Sequence, residues 1–217
     1  MKKLIIICEG KTEQLFCKNL LEEHFKSLDI IIEYPLISHS NGGIVKWVHL
    51  KNQIESYLNI EKNCYVTTFI DYYGIEYHHD FPDWYDAVAE ADKNNKMTIL
   101  ENAMLSDIQN ELKARFIPYI QLHEFEALAF SEYDAFEKYY EPIEANFVNL
   151  KSICDSNPNP ETINNAPATA PSKRLLNNIP GYDKISHGID ICEMIGLNKI
   201  IDKCARFSIW INKLEGI

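Results

Sequence analysis

The stretch KKLIIICEGKTEQLF, residues 2–16, decides the fold. Leu4 to Cys8 form a short, unbroken apolar run, the pattern of a strand buried on both faces of a parallel sheet. The run stops on Glu9-Gly10, and a second acid, Glu13, follows within one turn of a helical pattern. A carboxylate in that position has two readings. It closes the strand while Glu13 favours a helix N-terminus, or it holds an acid over a metal ion or a reacting group.

Working outward, the spacing of Leu21, Phe25 and Leu28 predicts a helix from about Thr12 to Leu28. DIIIEYPLI (29–37) reads as a second strand and SHSNGG (38–43) as a loop. Val45 to about Ile60 repeats apolar residues at helical spacing. CYVTTFID (64–71) is β-branched and aromatic, a third strand that ends on Asp71. YYGIEYHHDFP (72–82) reads as loop, and Asp83 to Leu112 as helix with a polar break at ADKNNK. RFIPYIQL (115–122) is a fourth strand, pushed toward an edge or a bulge by Pro118. It runs into HEFEALAF (123–130), a helical pattern. Beyond Ser131 only short helices are expected, separated by NPNPE, NAPATAPSK and IPGYDK, with ARFSIWINKLEGI as a final packing helix.

This alternation predicts an α/β class with a mostly parallel central sheet of about four strands. The expected division is a core over 1–130 and a helical C-terminal extension over 131–217, packed on the core. In such sheets sites form beyond the carboxyl ends of the strands. Glu9, Asp71 and the pair Glu124 and Glu126 all fall there, so three segments deliver acids to one edge.

Length and composition bound the chemistry. The 217 residues suffice for a sizeable core, and the net charge of −11 speaks against coating nucleic acid by charge alone. A nuclease remains compatible, because a metal-binding carboxylate cluster is itself negative. Cys8-Glu9 interrupts the N-terminal apolar run too early for a signal peptide, and no run reaches the roughly 20 residues of a membrane span. A soluble cytoplasmic protein with no membrane contact is expected. The six cysteines include no C-x-x-C pair, and the histidines show no zinc spacing, so reduced thiols are expected.

Two or three carboxylates with water suit Mg²⁺ or Mn²⁺, and phosphate oxygens can fill the remaining positions. Glu9 and Asp71 are the first ligand candidates. Glu13 reaches the same space or serves as general base. Glu124 and Glu126 diverge if helical and share a face if extended, and either one could complete the set. EGKT lacks the earlier glycine of a P-loop, so no intrinsic nucleotide hydrolysis is expected. Lys11, at a helix start, remains a candidate phosphate contact. Lys173 and Arg174 in APSKRLL, and Lys184 and His187 in PGYDKISHG, are basic groups near Gly/Pro turns. They are either phosphate contacts or solvated surface.

IIICEGKTEQLF, TTFIDYYG, DFPDW, IPYIQLHEFEALAFS, APSKRL, PGYDKISHG and ARFSIWINKLE, in this order, resemble the bacterial family called domain of unknown function 4276. That family looks like a divergent branch of the Toprim fold of topoisomerases, primases and overcoming-lysogenization-defect-type nucleases. The resemblance implies a Toprim-like sandwich and a magnesium site built on Glu-Gly after the first strand and Asp-x-Asp after a later one. Glu9-Gly10 matches the first motif and Asp71 the first Asp of the second, whereas Tyr73 stands where the second Asp belongs. It further implies a metal-dependent nuclease in anti-phage defence, acting on DNA or RNA. An ATPase partner of the ABC or AAA type and a homodimer are expected with it. The other reading is a non-catalytic subunit that regulates such a partner.

Overall fold

The structure, a computed structural model, describes residues 2–40, 43–163, 166 and 168–217. Parts of the expected loops at SHSNGG and NAPATAPSK therefore lie outside the described residues. The chain divides into two compact units, one of Met1–Leu122 with Asn212–Ile217 and one of His123–Ile211.

In the first unit, β1 (Lys2–Cys8), β2 (Ile30–Glu33), β3 (Cys64–Asp71), β4 (Phe116–Ile117) and β5 (Ile120–Gln121) form a five-stranded sheet. The order is β2-β1-β3-β4, with β5 also on β3, and every pairing is parallel. β1 and β3 sit inside the sheet, which is why their sequences are continuously apolar rather than alternating. Lys3 lies opposite Cys64 and Cys8 opposite Phe69, so the two strands end side by side.

The expected fourth strand is cut in two because Pro118 has no N–H to give a ladder. In the gap the Thr68 hydroxyl donates to Tyr119 O at 2.8 Å and accepts from Tyr119 N–H at 3.1 Å. The second strand is shorter than DIIIEYPLI predicts. It closes at Glu33, and Pro35 and Ile37 rejoin β1 only through bonds to the Cys8 backbone.

The helix after β1 is α1 (Lys11–Phe16), a π turn (Cys17–Leu21) and α2 (Glu22–Lys26). α3 (Trp47–Ile60) matches expectation closely. α4 (Trp84–Ala89) and α5 (Lys93–Asp107) are separate helices, but the break falls at Glu90–Asp92, so only the first two residues of ADKNNK lie in it and the other four open α5, which ends before the expected Leu112. The segment read as loop contains two short 3₁₀ turns, Tyr72–Gly74 and Tyr77–His79. Ile5, Ile7, Val66 and Ile70 pack with Leu50, Ile54, Met97 and Leu100 in one core cluster. Alternate positions of the same strands point to the other face, where Phe16 meets Phe69 edge-on at 5.9 Å.

The second unit has no strand among its described residues. A 3₁₀ turn (Phe125–Phe130) is followed by α6 (Asp134–Tyr139), α7 (Phe147–Ser156), α8 (Pro171–Asn178), α9 (Ser186–Ile195), α10 (Leu197–Lys203) and α11 (Ala205–Glu215). The last turn of α11 belongs to the first unit. Phe125, Leu128, Phe136, Leu150, Phe207 and Trp210 are buried here. No helix among the described residues is long and apolar enough to cross a membrane.

Candidate functional site

Cys8, the last residue of β1, pairs with Phe69, so Glu9 leaves β1 alongside the last two residues of β3, Ile70 and Asp71. Glu9 N–H donates to Phe69 O at 3.1 Å, extending the ladder by one step. Asp71 N–H then donates to Glu9 Oε2 at 2.8 Å. The Glu9 carboxylate is thus tied to the backbone of the residue that carries the second acid. Gly74 makes room for this, since a Cβ there would lie 3.1 Å from Glu9 Oε1. Asp71 is 7% exposed and Glu13 3%, so both acids are held at the edge of the core rather than in bulk water.

Glu13 folds back over the start of α1, where its Oε2 accepts from Gly10 N–H at 2.9 Å. This is half of a capping box, with glycine in place of the usual hydroxyl residue. Lys11 is exposed, and its ammonium donates to Gln14 Oε1 at 2.8 Å. Tyr73, at the position of the missing Asp, is half exposed.

The second unit holds the other two acids, and each has its own partner there. Glu124 is extended and accepts from Ser172 N–H at 2.9 Å and from the Ser172 hydroxyl at 3.0 Å, capping α8. Lys173 and Arg174 sit in the same first turn. Lys173 is exposed, and Arg174 Nε donates to Thr169 O at 2.8 Å. The α8 N-terminus is thus already supplied with a carboxylate of its own. Glu126 is 1% exposed, and the Lys184 ammonium lies 3.2 Å from its Oε1. Burial pushes the Glu126 carboxyl above the ordinary range, against the pull of Lys184. Its Oε2 has no hydrogen-bond partner among the described residues.

His187 stands among three tyrosine rings, with centroids 5.6 Å from Tyr139, 5.7 Å from Tyr140 and 6.0 Å from Tyr182. The Tyr139 hydroxyl donates to Asp190 at 2.7 Å, a bond that together with burial pushes its pKa up to about 12. Tyr182 is buried so that its hydroxyl approaches Gly188, where a Cβ would lie 2.8 Å from it.

Sequence reading missed Gly74, Ser172 and Glu161. Glu161 is fully buried and caps α11 by accepting from Arg206 N–H at 2.8 Å and Phe207 N–H at 3.1 Å. The sequence signal for Gly74 was a glycine just past Asp71, where close backbone approach is common. Glu161 gave no signal, because its partners lie about 45 positions away.

Glu9 and Asp71, at neighbouring strand ends, carry the hard oxygen donors that Mg²⁺ or Mn²⁺ takes. Among the described residues no three His, Cys, Asp or Glu side chains are grouped to hold an ion. The fit is therefore that of a two-carboxylate site, in which water and substrate oxygens supply the remaining ligands.

A family model described as a domain of unknown function (DUF4276) matches residues 8–215. No curated protein and no solved structure matches the chain.

Proposed function

The chain belongs to the DUF4276 family, and on that premise we propose that it is a Mg²⁺- or Mn²⁺-dependent nuclease of Toprim type acting in the cytoplasm. One observation carries the reading. Glu9 and Asp71 stand at adjacent parallel strand ends, and the Glu9 carboxylate accepts from the Asp71 backbone N–H at 2.8 Å. The carboxyl end of a parallel sheet is where α/β proteins bind their ligands.

A bound divalent ion supplies polarisation of the phosphodiester and a water of lowered pKa. The chain's own residues do the rest. Glu9 and Asp71 hold the ion, and the Asp71 amide sets the rotamer of Glu9. Glu13 is the candidate proton acceptor, and its Oε2 would first have to give up Gly10 N–H. Lys11 offers an exposed ammonium to phosphate from the same loop. Glu124 and Glu126 are engaged by Ser172 and Lys184, so the proposal centres on the three acids of the first unit.

The sequence has no P-loop, so nucleotide hydrolysis would come from an ATPase partner, in keeping with a role in anti-phage defence. The second reading, a non-catalytic subunit that regulates such a partner, is favoured by Tyr73 and by the absence of a third grouped ligand among the described residues.

The test is incubation with plasmid, linear DNA and tRNA in Mg²⁺, Mn²⁺ or EDTA, beside Asp71→Ala. Metal-dependent cleavage that Asp71→Ala abolishes is the expected result. Intact substrates with every metal, and still intact after an ATPase encoded beside it is added, would sink the nuclease and leave the regulatory subunit.

A further inference from the structure

The segment from Tyr73 to Val88 exposes more aromatic surface than its neighbours. Tyr77 is 68% exposed and Tyr85 80%, far beyond what a ring of this size shows when it serves the core. With Trp84 they line a shallow groove of about 340 Å³ that also carries Asp80, Asp83 and Asp86. Two of these acids, Asp80 and Asp83, have left-handed backbone, at φ 55° and 53°. They close the Tyr77–His79 turn and open α4, and aspartate is among the residues that tolerate this conformation.

Charge decides what would fit here. Asp80 is paired with Lys46 at 2.9 Å. Asp83 and Asp86 make no ion pair among the described residues, and the whole chain carries −11. A nucleic-acid strand could stack on the rings but would bring its phosphates against these carboxylates. A guanidinium or ammonium meets both features, since it is attracted to the ring faces and to the acids. Tyrosine and tryptophan beside acids are also what anchors arginine at protein interfaces.

We propose that the groove of Tyr77, Trp84 and Tyr85 with Asp83 and Asp86 docks a basic, arginine- or lysine-bearing segment of a partner protein. Such docking would hold whether or not the Glu9–Asp71 edge cleaves anything.

The test uses the full chain and a fluorescein-labelled ten-residue peptide of alternating Arg and Gly, read by anisotropy at low and at physiological salt. Three variants accompany it, all at exposed positions: Tyr85→Ser, the double variant Asp83→Asn/Asp86→Asn, and a charge-matched control, Glu22→Gln/Glu23→Gln. Saturable binding is expected, weakened about fivefold or more by each groove variant and unchanged by the control. The inference is overturned if the control weakens binding as much as the groove pair, because net charge alone would then explain it. It is also overturned if a labelled single-stranded oligonucleotide, with no peptide present, binds the chain and loses that binding in Tyr85→Ser. Tyr85-dependent self-association in sedimentation would likewise replace the partner with a second copy of the chain.

Discussion

Tyr182 buries a hydroxyl that has no hydrogen-bond partner among the described residues and that presses on Gly188 in the first turns of α9. An unpaired buried hydroxyl costs about 1–3 kcal/mol relative to one that is bonded. Tyr182→Phe is therefore expected to leave stability unchanged or to raise it by about 1 kcal/mol. Gly188→Ala alone forces the two atoms apart and should cost about 1–3 kcal/mol by overpacking. Combining the two removes the clash and keeps the better helix former, so the double variant should be at least as stable as the starting protein. Thermal or urea unfolding of all four proteins reads the cycle. A double variant as weak as Gly188→Ala would show that the glycine serves something other than the Tyr182 hydroxyl.

At the scale of elements, Arg115 holds the end of α3. Its guanidinium donates to Leu58 O at 2.8 Å in the last turn of the helix, to Glu61 O at 3.0 Å just past it and to Cys64 O at 3.1 Å at the start of β3, so it ties the helix end to the strand that follows. Arg115→Met should cost about 2–3 kcal/mol, read as a lower urea midpoint with an unchanged slope. Arg115→Lys should recover less than half of the loss, because one ammonium cannot span three carbonyls; full recovery would mean charge alone matters. Such long-range ties are what the sequence hid. β1, β3 and α3 were legible because their apolar patterns are local and strong. The π turn at Cys17–Leu21 was not, since neither Gly nor Pro marks it. In the candidate site, Glu9 and Asp71 at neighbouring strand ends followed from two strong strand patterns. The fates of Glu124 and Glu126 did not, because Ser172 and Lys184 lie about 50 positions downstream.

At the scale of the molecule, the first unit is discontinuous in sequence, being completed by Asn212–Ile217. Leu214 is fully buried, Glu215 pairs with His24 at 2.7 Å, and the Lys2 ammonium donates to Ile217 O. A chain ending at Ile211 should lose about 3–5 kcal/mol, the scale of emptying a core leucine site together with its neighbours. Hydrogen exchange checks this, with β1 and β2 amides expected to exchange faster. Unchanged exchange there would mean these six residues merely rest on the surface. The same closure gives synthesis a direction. During synthesis, the unit that carries Glu9 and Asp71 therefore stays incomplete until residues 212–217 have been added, although its strands were made long before.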